Sequence, residues 1–551
     1  MKEYYDNLKK IFYLGNLSII LFSIFILLNL LLSFFEIFGI TIFLLIIQRI
    51  LLGEQSNLFT EYFNSWSLNT IFEFNYLIEN IFLFLIVIYL IKLFLTLIIN
   101  FQIYQTAQKR TAKIKEKIFL KLNSLNFKKY LDLKSTYYYT FVTNFCDDFY
   151  QIFLLTLKFI SESIISIFLL TYLIIIDFKI FISFLTLFLI FYFFYNFLLK
   201  KNKKYGKIIN DNRQLLITSL KSSYDLFKEI KFNPNFIKIF YEKFLTSNKK
   251  IMTSSVNSKM ISSSPRLLLE FLFILLISLL IILFKDDQFL FSKLSIFGLI
   301  SIRLLPILNQ ITNFFTSFNS TINSVSNLFK EINKHNFKDE LINLENLKTT
   351  SLNDLLINFR INDMNKSILI NEGRWIGVYG KSGSGKTTFI ESLIGLRDSN
   401  YTDIFLKDIK ITNPFQFFIL NCYYLPQNAK IFDGSLVENI SFSKDKDADY
   451  KKIHQLLDIV DLSHFSEFLN KNIGSGGKYM SGGEKQRLLI ARALYSNKKI
   501  IIFDESFNSL NENMLKKILN AVKDNFPSLI LIMVSHDNSI KNIFNETIEI
   551  N

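Results

Sequence analysis

One glycine-rich segment of the chain has the residue types and spacing that bind phosphate. The apolar stretch 375–379 predicts a buried strand, and a helical pattern to Leu396 follows the glycines. In this P-loop pattern, backbone N–H groups and the positive end of the helix face an anion. Lys386 is expected to reach the β- and γ-phosphates of ATP, and Thr387 to hold Mg²⁺. The residues predicted to bind ATP here are Gly380, Ser382, Gly383, Ser384, Gly385, Lys386, Thr387 and Thr388.

A second apolar run, 500–503, ends in two carboxylates, Asp504 and Glu505. An acidic residue at the carboxyl end of a buried parallel strand lies beside a P-loop. We therefore expect Asp504 to hold Mg²⁺ through water. Glu505 is expected to polarise the water that attacks the γ-phosphate.

A third pattern, Met480-Ser481-Gly482-Gly483-Glu484, predicts another nest of N–H groups at the start of a helix. A chain that has its own P-loop has no use for a second nest, unless that nest serves a nucleotide held by a partner. The sequence therefore predicts that Ser481, Gly482 and Gly483 contact the ATP of a second copy, and that the chain acts as a homodimer.

These motifs resemble those of the ATP-binding cassette (ABC) family, whose signature is usually Leu-Ser-Gly-Gly-Gln. By this resemblance, Gln427 in Tyr-Leu-Pro-Gln is the glutamine of the Q-loop and His536 in Val-Ser-His-Asp is the switch histidine. The resemblance implies ATP hydrolysis with Glu505, His536 and Gln427 as catalytic residues. It also implies Mg²⁺ held by Thr387, Gln427 and Asp504.

The chain departs from the family pattern at three places. The signature has Met480 for Leu and Glu484 for Gln, and the D-loop ends in Asn511 in place of Asp. The family stacks an aromatic ring, usually Tyr, on adenine, and Phe359 is the nearest candidate. We expect hydrolysis, at a rate that these departures reduce.

The first part of the chain has the composition of a membrane domain. Half of the 551 residues are hydrophobic, and they concentrate before residue 320. A spanning helix needs about 20 mostly apolar residues, and six segments qualify: 17–47, 76–100, 149–176, 178–199, 266–284 and 289–315. We predict an all-α six-helix transmembrane domain over 1–332, a polar linker over 333–350, and an α/β P-loop ATPase domain with a helical subdomain over 351–551.

Loop charge predicts the orientation. Segments 108–134 and 200–204 are rich in Lys and Arg, whereas 53–75 contains neither. The positive-inside bias puts the basic segments and both termini in the cytoplasm of a bacterial inner membrane. The spans are expected to continue as helices through the basic segments to connectors at 130–140 and 231–241; loosely ordered loops are the alternative. Segment 58–66 is amphipathic, either in the membrane interface or packed on the ends of the spans.

The net charge of +15 follows from this topology. Nucleic-acid binding is not indicated, because the basic residues flank apolar spans and form no stripe with aromatic residues. Cys146 and Cys422 lie in different parts of the chain, which excludes a disulfide framework and a cysteine metal cluster.

Two arginines fall in predicted spans. Segments 264–270 and 303–309 resemble matching stretches of the PglK-type flippases of lipid-linked oligosaccharides, as do parts of the first span. A charge that faces lipid is costly, so Arg266 and Arg303 are predicted to line a cationic substrate path that suits a pyrophosphate head group. The alternatives are an ion pair, with Glu270 for Arg266, or snorkelling. Gln310 stands where the flippase pattern has a further basic residue.

The resulting prediction is an exporter that flips a lipid-linked oligosaccharide by ATP-induced cassette dimerisation and alternating access. Export of another lipid, a drug or a peptide is the alternative. A membrane-tethered ATPase that acts as a sensor or regulator is a different class that the sequence leaves open.

Overall fold

The computed structural model describes residues 2–52, 74–123, 125, 127–133, 136–176, 178–283, 290–333, 354–361, 364–397, 402–443, 447–507 and 509–550. The chain divides into two compact units, Met1–Ser124 with Leu133–Phe337, and Leu125–Asp132 with Lys338–Asn551. Residues 334–350 of the predicted linker and the amphipathic segment 58–66 lie outside the described residues.

The N-terminal unit is helical. A π-helical turn over Phe141–Phe145 joins two of its helices. The helices are α1 Lys2–Gly15, α2 Ile19–Leu52, α3 Phe74–Asn123, α5 Tyr137–Thr140, α6 Cys146–Ile176, α7 Phe178–Asp225, α8 Phe227–Phe232, α9 Pro234–Leu283 and α10 Leu290–Asn333; α4, Phe127–Asp132, belongs to the other unit.

Five helical segments among the described residues are long and apolar enough to cross a membrane: Ile19–Phe43, Leu83–Asn123, Tyr137–Ile176, Phe181–Asp225 and Ile237–Ser278. Helix α10, which carries the predicted sixth span, is not among these five.

Helix α1 was not predicted from the sequence. It packs on the distant helix α10, where the Tyr4 ring stacks on Phe318 at 5.1 Å between centroids. The Tyr4 hydroxyl donates to Asn319 Oδ1 at 2.9 Å. The N-terminal helix is therefore held by contacts with residues more than 300 positions away.

Helices α3, α7 and α9 contain 50, 48 and 50 residues, roughly 70–75 Å at 1.5 Å per residue. They exceed the thickness of a membrane, as predicted for helical extensions. The short helices α4 and α8 lie in the connections between the long helices. Both begin before the predicted connectors 130–140 and 231–241, whose predicted starts are therefore a few residues too late in the sequence. Within the C-terminal unit, the Arg397 guanidinium lies over the Phe127 ring of α4 at 5.9 Å.

Helices α7 and α10 approach closely along a ladder with a spacing of four residues. Asn202 Nδ2 donates to Thr316 O at 2.7 Å, and Asn210 Nδ2 donates to Ser324 Oγ at 2.6 Å. Gly206 lies between them against Ser320, where an added Cβ would come 2.2 Å from the Ser320 carbonyl oxygen. The missing side chain of Gly206 and the two hydrogen bonds therefore let α7 and α10 approach closely beyond the end of the predicted fourth span.

The C-terminal unit combines two sheets with a helical subdomain. An antiparallel sheet has the order β2-β1-β4-β5, and a parallel sheet has the order β6-β7-β8-β3-β9. The strands are β1 Leu355–Ile361, β2 Met364–Ile370, β3 Trp375–Tyr379, β4 Thr402–Leu406, β5 Ile409–Lys410, β6 Cys422–Leu425, β7 Ile500–Asp504, β8 Ile530–Ser535 and β9 Glu546–Glu549. The helices are α11 Lys386–Leu393, α12 Pro414–Asn421, α13 Leu436–Ser441, α14 Tyr450–Ile459, α15 Gly482–Tyr495 and α16 Glu512–Asn525, with 3₁₀ turns Ser463–Phe468 and Asn538–Ile543.

The parallel sheet determines where the site lies. Its strands β3, β7 and β8 are neighbours and nearly completely buried. Ligands of open α/β sheets bind beyond the carboxyl ends of the strands. The P-loop, the acidic pair and the switch histidine follow these three strands directly and therefore meet at one edge of the sheet.

We expect Gly206→Ala to destabilise the helical unit by about 2 kcal/mol or more, because the new methyl group meets a backbone carbonyl that cannot rotate away. Gly298→Ala, also in a long helix, is the matched control, since nothing lies within 4 Å of its added Cβ. Thermal unfolding of the purified chain measures both. Equal melting temperatures for the two variants would contradict the close approach of α7 and α10.

Candidate active site

The P-loop joins β3 to α11 through backbone conformations that glycine adopts without strain. Gly383 and Gly385 have φ angles of +81° and +90°. At Gly380 an added Cβ would come 2.1 Å from the Ile550 carbonyl oxygen. The Ser384 hydroxyl is buried and has no hydrogen-bond partner among the described residues. The loop is thus a cradle with an unsatisfied donor, as phosphate binding requires.

Lys386 begins α11 and is 4% exposed. Its Nζ donates to the carbonyl oxygens of Gly380 and Lys381, both at 2.9 Å. The same Nζ forms an ion pair with Glu505 Oε1 at 3.0 Å. The P-loop cation therefore already holds one anion, the carboxylate predicted to be the catalytic base.

Asp504 ends β7 and is completely buried. It accepts hydrogen bonds from Thr387 Oγ1 at 3.1 Å and from the Tyr424 hydroxyl at 3.1 Å. Burial raises the pKa of Asp504, and the hydrogen bonds from Thr387 and Tyr424 oppose that shift. Burial and the charge of Asp504 raise the pKa of Tyr424.

Tyr424 was missed by the sequence analysis. The sequence did contain a signal, because Tyr424 lies in the apolar strand β6 and only three residues before Gln427. Strand β6 pairs with β7, and Tyr424 lies in register with Ile502. That pairing, which the sequence does not show, brings the phenol to Asp504.

Glu505 follows β7 in a left-handed conformation, with φ of +45°. Gln427 Nε2 donates to its Oε2 at 3.0 Å, while Lys386 holds its Oε1. A non-glycine residue in this region of φ is strained and is common at functional sites. The carboxylate is thus fixed by two side chains from different loops.

The signature residues form the first turn of α15. Ser481 is the N-cap in a capping box: the Ser481 backbone N–H donates to Glu484 Oε2 at 2.7 Å, and the Glu484 backbone N–H donates to Ser481 Oγ at 3.3 Å. Gly482 and Gly483 begin the helix. The backbone hydrogen bond from Ser481 lowers the pKa of Glu484, assisted by His464. Glu484 therefore preserves the local fold that Gln would make but adds a negative charge.

The departure in the D-loop is also accommodated locally. Asn511 is the N-cap of α16, and its Oδ1 accepts the Met514 backbone N–H at 2.8 Å. Asn and Asp are both favoured at this position. Gln486 of α15 accepts the Ser509 backbone N–H at 2.9 Å, which joins the D-loop to the signature helix.

The prediction for Phe359 is wrong. Strand β1 pairs with β2 and β4 on its two sides, and Phe359 is 3% exposed, with its ring 5.1 Å from that of Phe389. A ring packed in the core in this way cannot stack on adenine. The other predicted groups remain accessible: Ser382, Thr388, Gln427 and His536 are exposed, and His536 directly follows β8.

The two predicted substrate-path arginines belong to the helical unit. Arg266 Nε pairs with Glu270 Oε1 at 2.9 Å within α9, and its side chain is 69% exposed. Arg303 Nε pairs with Glu36 Oε1 at 2.8 Å, with Arg303 31% and Glu36 3% exposed. The sequence analysis gave Glu270 as a possible partner of Arg266, but it did not predict that Arg303 pairs with Glu36.

The residues around Asp504 fit a magnesium ion that enters with ATP. Thr387 Oγ1 and Asp504 Oδ1 lie 3.1 Å apart, and hydroxyl, carboxylate and phosphate oxygens are ligands that Mg²⁺ prefers. The described residues contain no cluster of three or more His, Cys, Asp or Glu side chains that could hold a metal alone. Any ion here therefore depends on the nucleotide.

Residues 364–508 match the ABC transporter family. The chain is similar to an export ATP-binding/permease protein of Rickettsia typhi, 37% identical over 180 residues, 31% of each chain. It is 34% identical over 197 residues to the lacticin-481/lactococcin-DR transport/processing ATP-binding protein of Lactococcus lactis, 34% of this chain and 27% of that protein. The matches thus span about a third of these relatives or less.

The similarity of fold extends much further. A bacterial Atm1-family ABC exporter with ATP bound superposes with a TM-score of 0.75 at 15% identity, over 96% of this chain and 93% of that chain. Residues 364–508 therefore match the ABC transporter family, and the chain as a whole has the fold of an ABC exporter, a helical transmembrane domain followed by an α/β ABC ATPase domain.

Proposed function

We propose that the chain is an ATP-driven exporter that works as a homodimer in a bacterial inner membrane, with both termini in the cytoplasm. The observation that carries the proposal is the joint hold of Lys386 and Gln427 on Glu505. The carboxylate that we propose as the general base is thus paired with the P-loop cation, and the other unit of the chain has helices long enough to cross a membrane.

ATP changes the partner of Lys386. Phosphate oxygens compete for the ammonium group that holds Glu505 at 3.0 Å. When the phosphates take Lys386, one oxygen of Glu505 is released while Gln427 still orients the other. Glu505 then accepts a proton from the attacking water, and His536 at the end of β8 contacts the γ-phosphate.

Mg²⁺ would be held by Thr387 and by Asp504 through water, with Gln427 as a third contact, and would neutralise charge on the β- and γ-phosphates. Asp504 can hold Mg²⁺ through water only when its carboxyl group is ionised. Its hydrogen bonds from Thr387 and Tyr424 favour that form.

A second copy completes the site. The N–H groups in the first turn of a helix have no backbone partner within the helix. In α15 the N–H groups of Ser481 and Glu484 are used in the capping box, so those of Gly482 and Gly483 are the ones that can face a ligand. Ser481, Gly482 and Gly483 would bind the γ-phosphate held by the P-loop of the partner subunit. Hydrolysis therefore requires two chains and follows closure of the two cassettes on ATP.

We propose a lipid-linked oligosaccharide as the substrate. The support is chemical: Arg303 and Lys92 lie together in the helical unit, and a pyrophosphate head group is the anion that such cations attract. Arg266 supports the proposal less, because its partner Glu270 is on its own helix. The Lactococcus relative is named for a different cargo and the Rickettsia relative for none, so the shared third of the chain does not discriminate among substrates.

Two further candidates remain to be separated by experiment. One is export of another lipid, a drug or a peptide, and the similarity to a lacticin transport/processing protein favours the peptide. The other is a membrane-tethered ATPase that acts as a sensor or regulator, which the D-loop residue Asn511 and the negative charge of Glu484 at the signature nest favour.

We expect Glu505→Gln to retain ATP binding and to lower turnover by at least about 100-fold, because the base is lost while its contact with Gln427 can persist. Size-exclusion chromatography with Mg-ATP should show dimers with closed cassettes. Glu546→Gln, which removes a surface ion pair with Arg374, is the matched control and should hydrolyse ATP normally. Wild-type turnover by Glu505→Gln would contradict the role of this base.

Tyr424→Phe should move the acid limb of the ATPase pH profile upwards by about one pH unit. The pKa of Asp504 is already raised by burial, and loss of the phenol removes a hydrogen bond that favours the ionised form. Activity then disappears at a higher pH as the medium is acidified. Tyr423→Phe is the control, since Tyr423 interacts with Arg492 and not with Asp504; an identical profile for both variants would refute the assignment.

Vesicles that contain a fluorescent polyprenyl-diphosphate oligosaccharide test the substrate. The wild-type chain should move the label across the bilayer in the presence of ATP, and Glu505→Gln should not. A chain that hydrolyses ATP without moving the glycolipid would remove the flippase proposal. Stimulation of that ATPase by a peptide or a drug would then favour the alternative exporter.

A further inference from the structure

A buried carboxylate in the helical unit is shared by two cations. Glu36 on α2 is 3% exposed. Its Oε1 lies 2.8 Å from Arg303 Nε on α10, and its Oε2 lies 2.7 Å from Lys92 Nζ on α3. One side chain thus ties together three helices that are separated by up to 267 residues in sequence.

The double pairing has an energetic reason. A single buried ion pair recovers little more than its desolvation cost, and removal of one partner leaves a charge that is strongly destabilising. Glu36 avoids this risk, because either cation alone can compensate it. The arrangement can therefore lose one ion pair without leaving the carboxylate unpaired.

Helix α6 adds a second carboxylate and a third base to the surroundings. Glu162 interacts electrostatically with Arg303, Glu36 and Lys158. The Lys158 ammonium donates to the Tyr104 hydroxyl at 3.1 Å, so Arg303 and Lys92 are the cations paired directly with Glu36.

Exposure identifies the group that meets the anion. The side chain of Arg303 is 31% exposed and that of Lys92 is 19% exposed, whereas Glu36 is enclosed. The guanidinium is also the better match for phosphate, because it is planar and can bind two oxygens. Arg303 is therefore the cation that can change its partner, and Lys92 is the one that remains with Glu36.

We propose that Glu36 is an internal counter-anion: the anionic head group of the transported amphiphile displaces Glu36 from Arg303, while Lys92 keeps Glu36 compensated. This inference rests on the proposed function and specifies its substrate class, an amphiphile with a phosphate or diphosphate head group. It assigns roles to Glu36 and Lys92 that no sequence motif indicated.

The exchange has a structural consequence. The Glu36–Arg303 pair joins α2 to α10, whereas the Glu36–Lys92 pair joins α2 to α3. Substrate binding removes the first link and preserves the second. Helices α2 and α3 can then move together relative to α10, which converts occupancy of the site into a change of helix packing.

The test uses the full-length chain in lipid nanodiscs and measures ATPase stimulation by farnesyl diphosphate, a short polyprenyl diphosphate. Glu36→Gln removes the competitor of the head group, so the half-stimulating concentration should fall about tenfold. Lys92→Met leaves the displaced Glu36 uncompensated, so that concentration should rise about tenfold. Asp147→Asn, a carboxylate-to-amide change at an exposed ion pair with Lys115, should leave it unchanged.

If Glu36→Gln does not fold, the double variant Glu36→Gln/Lys92→Met tests the counter-anion exchange in its place. It removes one charge of each sign and leaves Arg303 available, so it should resemble Glu36→Gln in its response. Shifts of Glu36→Gln and Lys92→Met in the same direction, accompanied by lower melting temperatures, would show a structural ion pair only and overturn the proposal.

Dodecyl phosphate separates this inference from the proposed function. If it stimulates as well as farnesyl diphosphate and the variants shift in opposite directions, counter-anion exchange stands and the glycolipid assignment loses its support. If farnesyl diphosphate stimulates but neither variant shifts, the flippase proposal stands and the exchange is wrong. If neither amphiphile stimulates a hydrolysing wild-type chain, anion exchange is wrong.

Discussion

A charge that leaves water needs a partner, and two such pairs organise the two units of this chain. In the ATPase unit, Lys386 is nearly enclosed and holds Glu505. In the helical unit, Glu36 is nearly enclosed and holds Arg303 and Lys92. In both units, a cation is paired with a carboxylate that an anionic ligand can replace. The ion pair that stabilises the fold is therefore also available for function.

In the helical unit, hydrogen bonds and small side chains also allow helices α7 and α10 to pack closely. The ladder of Asn202, Gly206 and Asn210 against α10 lets the two helices meet without bulky apolar side chains between them. Close backbone approach and interhelical hydrogen bonds thus contribute to the pairing of these two helices. The polar composition of α10 follows from this position among other helices.

The two units are related to known proteins to different extents. Identity above 30% with curated relatives extends over about a third of the chain, whereas the fold of an exporter extends over nearly all of it at 15% identity. The chemistry of ATP is common to every cassette, and it limits which residues can change. Cargo recognition imposes no such common requirement, so the proposed substrate class rests on the contacts around Glu36.

The sequence alone determined the phosphate chemistry and the number of units. The P-loop, the acid pair after β7 and the signature turn are each local patterns in which neighbours in sequence are neighbours in space, so spacing was sufficient to recognise each of them separately. Tertiary structure alone decided which distant residues meet. The hold of Tyr424 on Asp504 depends on strand order, the burial of Phe359 depends on which face of β1 meets α11, and the partners of Arg303 depend on three helices that converge. No local periodicity of the sequence predicts these contacts, because each joins elements whose packing is determined by the whole core.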